Sequence, residues 1–299
     1  MIVAVHGAGQ AGRAVAGLLR RRAGVEVRGP FGRERREEAL AGGADVVVIA
    51  TTSFLDAIAP DVRWAVEAGS NVLTSAEEAA YPWAVDAACA DELDALARAR
   101  GVTILGAGLN PGFAFDALVL TALGAVAEVR ALRVERVVDL SGFSAAVLRR
   151  IGVGHAPDAF AAGVASGAIT GHIGFPQSMH VVAARLGVAI ERIDREIAPV
   201  LAAGVTAGFE QRYVAVVAGA PWFEARFAGH IDPASRGWAT RDTIHVDADP
   251  PLDLTLAPGI GAQSGSAAVL ANSVARVAEA RPGWLTVADL VPAAPGMRR

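Results

Sequence analysis

The sequence predicts an α/β protein in which a doubly wound parallel sheet is followed by an α+β region with an open mixed sheet. From residue 2 to about residue 106, short runs of β-branched apolar residues alternate with helical segments, an order typical of parallel sheets. Beyond this point several segments alternate apolar and polar residues, as half-buried antiparallel strands do.

The first half of the chain contains five segments that predict parallel strands. They cover 2–6, 25–27, 44–53, 70–75 and 102–108, and the first is bounded by Gly7. Between them the pattern predicts helices over 12–22 and 34–41, a helix through Trp64 and Val66, and a long helix over 82–100 that Gly101 stops.

The second half predicts both strands and helices. The strand segments are 131–140, 211–219, 222–231, 242–248 and 252–256, and the helices are 116–127, 157–166, 177–186 and 266–280. We expect the last helix to return to the first domain. The predicted division is therefore a first domain of residues 1–115, completed by about 264–299, and a second domain of residues 116–263.

Composition excludes several classes of partner. The 299 residues carry a net charge of −4, and the sequence pI of about 5.9 does not favour a nucleic-acid or anionic-membrane partner. A single cysteine, Cys89, excludes an intrachain disulfide and a zinc cluster, and we expect a cytoplasmic protein. No apolar run approaches the roughly 20 residues of a membrane span. All 27 Lys+Arg residues are arginine, which excludes lysine Schiff-base chemistry.

The first strand leads into a G-x-G-x-x-G loop. This loop comprises Gly7, Gly9, Gln10, Ala11 and Gly12, and a helix follows it. In this context the three glycines allow a tight turn, the approach of a pyrophosphate and close packing of helix on strand. The alternative is an incidental turn in a glycine-rich chain. We predict a dinucleotide site and a domain of the Rossmann type.

The end of the second strand bears on the choice of cofactor. NAD-preferring sites usually place an acid there, and none follows Val27. Arg33, Arg35 and Arg36 cluster nearby instead, and a guanidinium can pair with a 2′-phosphate. The sequence predicts NADP, with NAD possible and a solvated helix start as the alternative.

Polar residues follow three further strands at the edge of the sheet where ligands bind. Thr51, Thr52 and Ser53 end one strand and are predicted to contact the cofactor, as are Asn110 and Pro111 after another. Glu77 and Glu78 follow the strand between them and open a predicted helix. Either they are acids favoured by the helix dipole, or one points into the cleft as a proton-transfer group.

Several segments resemble a known enzyme family, in order from Gly7 to about Leu290. "SAEEAAYP", "GAGLNPGFAFDAL", "RRIGVG", "GHIGFPQSMHVVAARLG" and "ANSVARVAEARPGWLTVADL" are similar to segments of 2,4-diaminopentanoate dehydrogenases and related NAD(P)-dependent amine dehydrogenases. The architecture is like that of dihydrodipicolinate reductase. The chain departs from the family pattern at Gln263, where an acid is expected, and at Ala76, where a cysteine is expected.

The resemblance implies reversible oxidative deamination, in which an amine gives hydride to NAD(P)+ and the imine hydrolyses to a ketone or aldehyde and ammonia. It implies a catalytic glutamate at Glu77 or Glu78, with Glu78 favoured, and a homodimer formed through the second domain. Because a set of residues for a diamino acid is not recognisable, a simple aliphatic or hydroxylated amine or ketone is the predicted substrate.

The substrate pocket is the least specific part of the prediction. Its candidate lining residues, each with a packing or surface role as the alternative, are Phe113, Phe143, Arg149, His172 and Phe175. No spacing of His, Asp or Glu suggests a metal. Two other functions stay open: an NAD(P)H-dependent C=N or C=O reductase that needs no ammonia, and a non-catalytic dinucleotide-binding protein.

Overall fold

A computed structural model describes residues 1–290 of the chain. The described residues form twelve strands and nine α-helices. The strands are β1 Ile2–His6, β2 Glu26–Phe31, β3 Val46–Ile49, β4 Asn71–Thr74, β5 Thr103–Gly106, β6 Glu128–Asp139, β7 Arg192–Ala202, β8 Val205–Val217, β9 Ala220–His230, β10 Arg241–Asp249, β11 Leu252–Leu256 and β12 Gly283–Leu285. The helices are α1 Gln10–Leu19, α2 Arg36–Leu40, α3 Leu55–Glu67, α4 Ala87–Arg100, α5 Ala117–Leu123, α6 Ala145–Arg150, α7 Pro157–Ser166, α8 Phe175–Leu186 and α9 Ala262–Glu279.

The first sheet is parallel throughout and has the order β12-β5-β4-β3-β1-β2. Strand β3 is Val-Val-Val-Ile and is buried along its whole length, because helices cover both faces of such a sheet. Two separate apolar clusters fill the two faces. One joins the sheet to α3 and α4, and the other joins it to α1 and α9.

The second sheet is mixed and has the order β11-β10-β6-β9-β8-β7. Its two central strands, β6 and β9, run parallel, and every other neighbouring pair is antiparallel. One face packs on α5, α7 and α8 in the third apolar cluster. The other face carries ion pairs between strands, among them Arg212 with Glu224 and Arg241 with Glu135.

The architecture confirms the predicted fold class, a doubly wound parallel sheet followed by an open mixed sheet. Helix α9 packs on α1 and β4, and β12 then pairs in parallel with β5. The proposed domain boundaries stay a prediction, and residues 291–299 of the proposed completing segment lie outside the described residues. Within the described residues, no helix is both long and apolar enough to cross a membrane.

Four local features differ from the sequence prediction, and one of them is the three-residue strand β12, which was not predicted. Strand β7 was not predicted, because it is an edge strand whose exposed charged residues and proline hide the apolar alternation. The six-residue helix α6 was also missed. Glu77 and Glu78 do not open a long helix: they lie in a 3-10 turn over Glu77–Ala80, and α4 starts only after Asp86, whose carboxylate accepts from the Cys89 N–H.

Candidate active site

The candidate site lies at the carboxyl edge of the first sheet, where the strand order reverses. The chain leaves β1 for β2 on one side and then crosses to β3 on the other, so the loops after β1 and β3 flank one crevice. The second sheet closes the far side of this crevice. The result is a cleft of about 380 Å³ between the two sheets.

The glycine loop has the geometry that a diphosphate needs. A Cβ at Gly7 would lie 2.3 Å from the Ala50 carbonyl oxygen, and one at Gly12 would lie 1.8 Å from the Gly7 carbonyl oxygen. A Cβ at Gly9 would meet no protein atom within 4 Å. Gly7 and Gly12 are therefore required by the packing of strand and helix, whereas the space at Gly9 is open toward the cleft. This arrangement fits a dinucleotide diphosphate.

The N-terminus of α1 adds an electrostatic reason for an anion at this loop. Among residues 1–290 no side chain caps the helix, and its first turn carries no acidic residue. Gly9, Gln10 and Ala11 all line the cleft at this point. The first N–H groups of the helix and its dipole thus favour negative charge here.

The three arginines beyond β2 differ in their partners. Arg35 forms two hydrogen bonds to Glu38, at 2.6 and 2.5 Å, and its guanidinium lies over the Phe31 ring. Arg36 contacts Asp61 at 3.0 Å. Arg33 is exposed and makes no ion pair or side-chain hydrogen bond within residues 1–290. Of the three, Arg33 is the one whose charge is not already matched.

Asp61 connects this region with the end of β1. Its second carboxylate oxygen lies 3.2 Å from Nε2 of the buried His6, the residue before Gly7. Burial alone would raise the pKa of Asp61, but the hydrogen bonds from His6 and Arg36 outweigh it and lower the pKa. Asp61 therefore links α2, α3 and the strand that enters the glycine loop.

Of the five residues after β3 and β5 that the sequence predicts to contact the cofactor, four line the cleft. Thr51, Thr52 and Ser53 all face it, and the buried Thr51 Oγ1 has no partner within the described residues. Asn110 lines the cleft too, and its Nδ2 likewise has no partner there. Pro111 does not line the cleft. It packs instead against Gly174, where a Cβ would lie 2.3 Å from the proline ring.

Glu77 and Glu78 are adjacent, but their carboxylates have different surroundings. The Glu78 carboxylate accepts from the Leu55 N–H at 2.7 Å, at the N-terminus of α3, and it does not line the cleft. Glu77 does line the cleft and is the only carboxylate among the described residues that do. The preference for Glu78 is therefore not supported by the geometry.

The surroundings of Glu77 favour a carboxyl group that can exchange a proton. Burial raises the pKa of Glu77, although the hydrogen bond to Ser53 and the charge of Arg150 act in the opposite direction. Arg150 lies beyond Ser53, with its Nη1 3.5 Å from the Ser53 hydroxyl. Its buried Nε has no hydrogen-bond partner within the described residues. A carboxylate and an unpaired guanidinium thus face the same cleft without forming a direct ion pair.

The second half of the cleft is built from side chains of the second sheet and the segments around it. Arg149 is exposed and does not line the cleft, whereas its neighbour Arg150 does. Phe143 lines it as predicted. Phe113 and Phe175 do not, because they belong to the apolar cluster beneath the second sheet. The lining residues on this side are Arg136, Leu140, Phe143, Ser144, Val147, Arg150, Ile151, Gly171, His172, Ile173, Phe209 and Phe227.

His172 lies in this half as a neutral ring. Its pKa is lowered to about 3, first by burial and then by the charges of Arg136 and Arg150. The ring packs on Phe175 and Phe227, at centroid distances of 4.7 and 5.1 Å. Its Nδ1 is buried without a partner in the described part of the chain. It can offer a hydrogen bond to a ligand but not a positive charge.

A buried ion pair at the wall of the cleft was not predicted from the sequence. Arg136, on β6, has its Nε 3.2 Å from the Asp242 carboxylate on β10, and both side chains are almost fully buried. A second oxygen of Asp242 accepts from the Ile260 N–H at 2.8 Å. A charged residue in an alternating strand pattern is usually predicted to face solvent. The pair became apparent only from the pairing of β6 with β10, which places Arg136 opposite Asp242.

The two departures from the expected pattern have separate positions. Gln263 lies in the first turn of α9 and lines the cleft, whereas Ala76 is buried in the apolar cluster under α3 and α4. Ser266, also on α9, accepts from the Leu109 N–H at 3.2 Å. Within the described residues, no three His, Cys, Asp or Glu side chains are placed to hold a metal ion.

Comparison with known proteins identifies the family. The model of the 2,4-diaminopentanoate dehydrogenase C-terminal domain matches residues 113–297. The 2,4-diaminopentanoate dehydrogenase of Acetoanaerobium sticklandii is 31% identical over 326 aligned residues, which cover 96% of this chain and 92% of that protein. The chain belongs to the 2,4-diaminopentanoate dehydrogenase family. The resemblance inferred from the sequence is thereby confirmed, and with it the enzyme class, an oxidoreductase that acts on amines.

Solved structures agree with this fold. The structure of an amine dehydrogenase from Mycobacterium smegmatis matches with a TM-score of 0.84 at 21% identity, and covers 99% of this chain and 98% of that one. GenD2 from gentamicin A biosynthesis, solved in complex with NAD, matches with a TM-score of 0.53 at 20% identity, over 86% of this chain and 72% of that one. At these identities both comparisons establish the fold alone.

Proposed function

We propose that this member of the 2,4-diaminopentanoate dehydrogenase family is an NADP-preferring amine dehydrogenase that catalyses reversible oxidative deamination of an amine to a ketone or aldehyde and ammonia. The observation that carries the proposal is the position of Glu77. It is the one carboxylate of the described residues that lines the cleft, and it follows β4, the strand that lies between β3 and β5 with their Thr51–Ser53 and Asn110 loops.

Glu77 can serve each proton-transfer step of this reaction. When bound, the dinucleotide supplies the hydride acceptor at its nicotinamide ring. The Glu77 carboxylate takes a proton from the substrate ammonium and passes it to solvent, and the freed nitrogen lone pair forms the carbon–nitrogen double bond as the hydride leaves the carbon. The carboxylate, ionised again, pairs with the cationic iminium group. It then takes a proton from the water that attacks the iminium carbon and gives this proton to the nitrogen of the resulting carbinolamine. Finally it takes the proton of the carbinolamine hydroxyl as the carbonyl forms and ammonia departs.

The elevated pKa of Glu77 suits both directions of this chemistry. A carboxyl group with an ordinary pKa is a weak acceptor near neutral pH, whereas one raised by burial accepts and returns a proton more readily. The absence of lysine from the sequence means that no lysine ammonium can take over this role.

The preference for NADP is supported by the end of β2. The strand ends at Phe31, and neither Phe31 nor the following Gly32 can accept from a ribose 2′-hydroxyl through a side chain. Arg33 follows at once, exposed and unpaired among the described residues. We assign Arg33 to the 2′-phosphate. Arg35 and Arg36, which are engaged with Glu38 and Asp61, take a supporting part at most.

The cleft supports a substrate with one amino group. Since Glu77 is the sole carboxylate of residues 1–290 that lines it, a second ammonium would be buried there without an anionic partner, which is costly. Phe143, Phe209 and Phe227 offer apolar and aromatic walls for the carbon skeleton. An aliphatic or hydroxylated monoamine, or the ketone related to it, therefore fits better than a diamino acid.

We further propose a homodimer formed through the second domain, with residues 1–115 and the returning C-terminal segment as the cofactor domain. The second sheet supports this proposal because one of its faces has no helix layer in the described chain. Sedimentation velocity checks it directly. A monomer at micromolar concentration would contradict it.

The function is tested by mixing a panel of ketones with the protein, NADPH and ammonium, and by following the absorbance of the reduced nicotinamide. We expect oxidation of NADPH that requires ammonium and yields the amine. Equal rates without ammonium would instead identify a carbonyl reductase. Tight NADPH binding with no turnover of any ketone or amine would identify a non-catalytic dinucleotide-binding protein.

A further inference from the structure

A buried hydrogen-bond relay lies directly behind Asn110. Asp116 and Ser178 are 0% and 1% exposed, respectively. Neither of them lines the cleft, and neither was singled out from the sequence. Ser178 lies on α8, and Asp116 directly precedes α5. The hydrogen bond between them therefore connects α8 to the end of the loop that follows β5.

Asp116 fixes the shape of that loop. One carboxylate oxygen accepts from the Gly112 N–H at 2.7 Å, and the other accepts from the Ala117 N–H at 2.7 Å, as the cap of α5. The first oxygen also accepts from the Ser178 hydroxyl at 2.9 Å. Three donors therefore converge on one buried carboxylate, and one of them comes from another helix.

The hydrogen bonding of Ser178 determines which amide atom Asn110 turns to it. A serine hydroxyl has a single proton, and the 2.9 Å contact with Asp116 uses it. The same hydroxyl lies 3.5 Å from the Asn110 carboxamide, which also lines the cleft. What the hydroxyl oxygen still offers is a lone pair, and only the amide N–H₂ of Asn110 can donate to it.

The opposite orientation leaves both amide atoms poorly satisfied. With the carboxamide oxygen turned to Ser178, the buried Nδ2 has no partner in the described residues and two oxygens compete for one proton. A buried donor that has lost its water and found no acceptor destabilises this orientation. Turning the amide over gives its N–H₂ group an acceptor, the Ser178 hydroxyl, and places the amide oxygen where the unpartnered Nδ2 stood, so that it can accept from a ligand in the cleft.

We propose that Asp116 and Ser178 are positioning residues that hold the Asn110 carboxamide with its oxygen toward the cleft, where it accepts a hydrogen bond from an N–H group of a bound ligand. The inference rests on the proposed function for the identity of that ligand. Two sources share this chemistry: the carboxamide of the nicotinamide ring and the amino group of the substrate. The catalytic carboxylate remains Glu77.

The test is a double-mutant cycle between Asn110→Ala and Ser178→Ala. The dissociation constant for NADPH, from nicotinamide fluorescence, reports the cofactor source, and KM for amine and ketone reports the substrate source. We expect Ser178→Ala to weaken one of these by roughly tenfold, in keeping with one hydrogen bond. In the Asn110→Ala background the same change should have almost no further effect, because the relay then has nothing to position.

Ser273→Ala is the matched control. Ser273 is also a buried serine in a helix, and its hydroxyl donates only to the Val269 carbonyl oxygen of α9 at 2.8 Å. It should lower the thermal stability as much as Ser178→Ala and leave both binding constants unchanged. A third variant, Asp116→Asn, should reproduce the effect of Ser178→Ala on binding if it folds.

The outcomes separate this inference from the proposed function. Effects of Asn110→Ala and Ser178→Ala that multiply, or a Ser178→Ala variant that binds both ligands as the Ser273→Ala control does, would overturn the relay. If the wild-type protein turns over no amine, the proposed function fails, but the NADPH measurements still decide the relay: an unchanged dissociation constant in Ser178→Ala then overturns it.

Discussion

The two halves of the cleft are built from different parts of the polypeptide. The half next to the glycine loop comes from the ends of parallel strands in the first sheet: Gly9, the N-terminus of α1 and the loop after β3. The opposite half is formed by side chains such as Arg150, His172 and Phe227, which come from separate elements around the second sheet.

The difference explains what each half can recognise. The N–H groups at the start of a helix can bind any diphosphate. The first half therefore recognises one chemical group, and most substitutions of nearby side chains leave that recognition unchanged. The second half depends on side-chain size and charge. A single substitution there changes what fits, which is how one fold comes to host many substrates.

The largest expected effect separates two neighbouring carboxylates at the boundary between the halves. Glu77→Gln keeps the shape of the side chain but removes the base, and kcat should fall by about 10²–10⁴-fold, the usual contribution of proton transfer. Glu78→Gln keeps an oxygen that can accept from the Leu55 N–H, so its kcat should stay within a few-fold of wild type. Steady-state kinetics of ketone amination with NADPH measure both variants.

Either of two results would remove Glu77 from the mechanism. One is near-full activity in Glu77→Gln, and the other is a larger loss in Glu78→Gln than in Glu77→Gln. Circular dichroism of both variants serves as the folding control.

The next effect tests whether the first half depends on its main chain. Gly12→Ala would place a Cβ 1.8 Å from a backbone oxygen, so the free energy of unfolding should fall by at least ~2 kcal/mol. Gly9→Ala meets no protein atom within 4 Å and should fold normally, yet its methyl group would occupy the space of the diphosphate. Its affinity for NADPH should fall by roughly tenfold or more.

Thermal melts and NADPH titrations distinguish these two variants. A Gly9→Ala protein that binds NADPH as tightly as wild type would show that the diphosphate lies elsewhere.

The third effect concerns pH and separates Glu77 from His172. Because the catalytic form of Glu77 in deamination is the carboxylate and burial raises its pKa, kcat/KM for the amine should fall as pH drops through that raised value. The midpoint of this acid limb of the pH profile should lie above pH 4.5, the ordinary pKa of glutamate. Below the midpoint, kcat/KM should fall about tenfold per pH unit. His172, with a pKa of about 3, stays neutral over this range and contributes no limb.

A His172→Asn variant checks this assignment. It should keep the acid limb at the same pH even if its KM changes. Disappearance of the limb in that variant would assign it to the imidazole.

The smallest effect concerns the 2′-phosphate at the edge of the first half. Arg33→Ala should weaken NADPH binding by about tenfold and leave NADH binding nearly unchanged, because only NADPH carries the phosphate. Arg35→Ala removes a residue already paired with Glu38 and is the matched control, with less than a threefold effect expected from an exposed ion pair. Parallel titrations with both cofactors give the answer; tighter NADH than NADPH binding in wild type would overturn the assignment.

The two halves of the cleft also differ in how well their residues could be predicted from the sequence. The glycine loop and the strand-end residues Thr51, Ser53 and Asn110 were predictable because position along a parallel strand fixes the sheet edge at which a residue lies. Adjacent residues were not resolved: Arg149 and Arg150, or Glu77 and Glu78, differ only in local backbone direction. In a short helix or 3-10 turn, periodicity cannot supply that direction.

Residues that depend on register between distant segments could not be found at all. The Arg136–Asp242 pair requires β6 beside β10, and the contact of Ser178 with Asp116 requires α8 against the loop after β5. Nothing local marks Asp116 as different from any other acid at a helix start. Such contacts are visible only once the two sheets are assembled.

The pairing of β12 with β5 has a consequence for the order of assembly during synthesis. The strand that completes the first sheet is made after the whole second sheet, and α9, which brings Gln263 and Ser266 to the cleft, is made just before it. A nascent chain that has released only the first five strands exposes the open edge of β5, a position prone to wrong pairing. The cleft is therefore complete only after α9 has been made, long after the glycine loop that lines its other side.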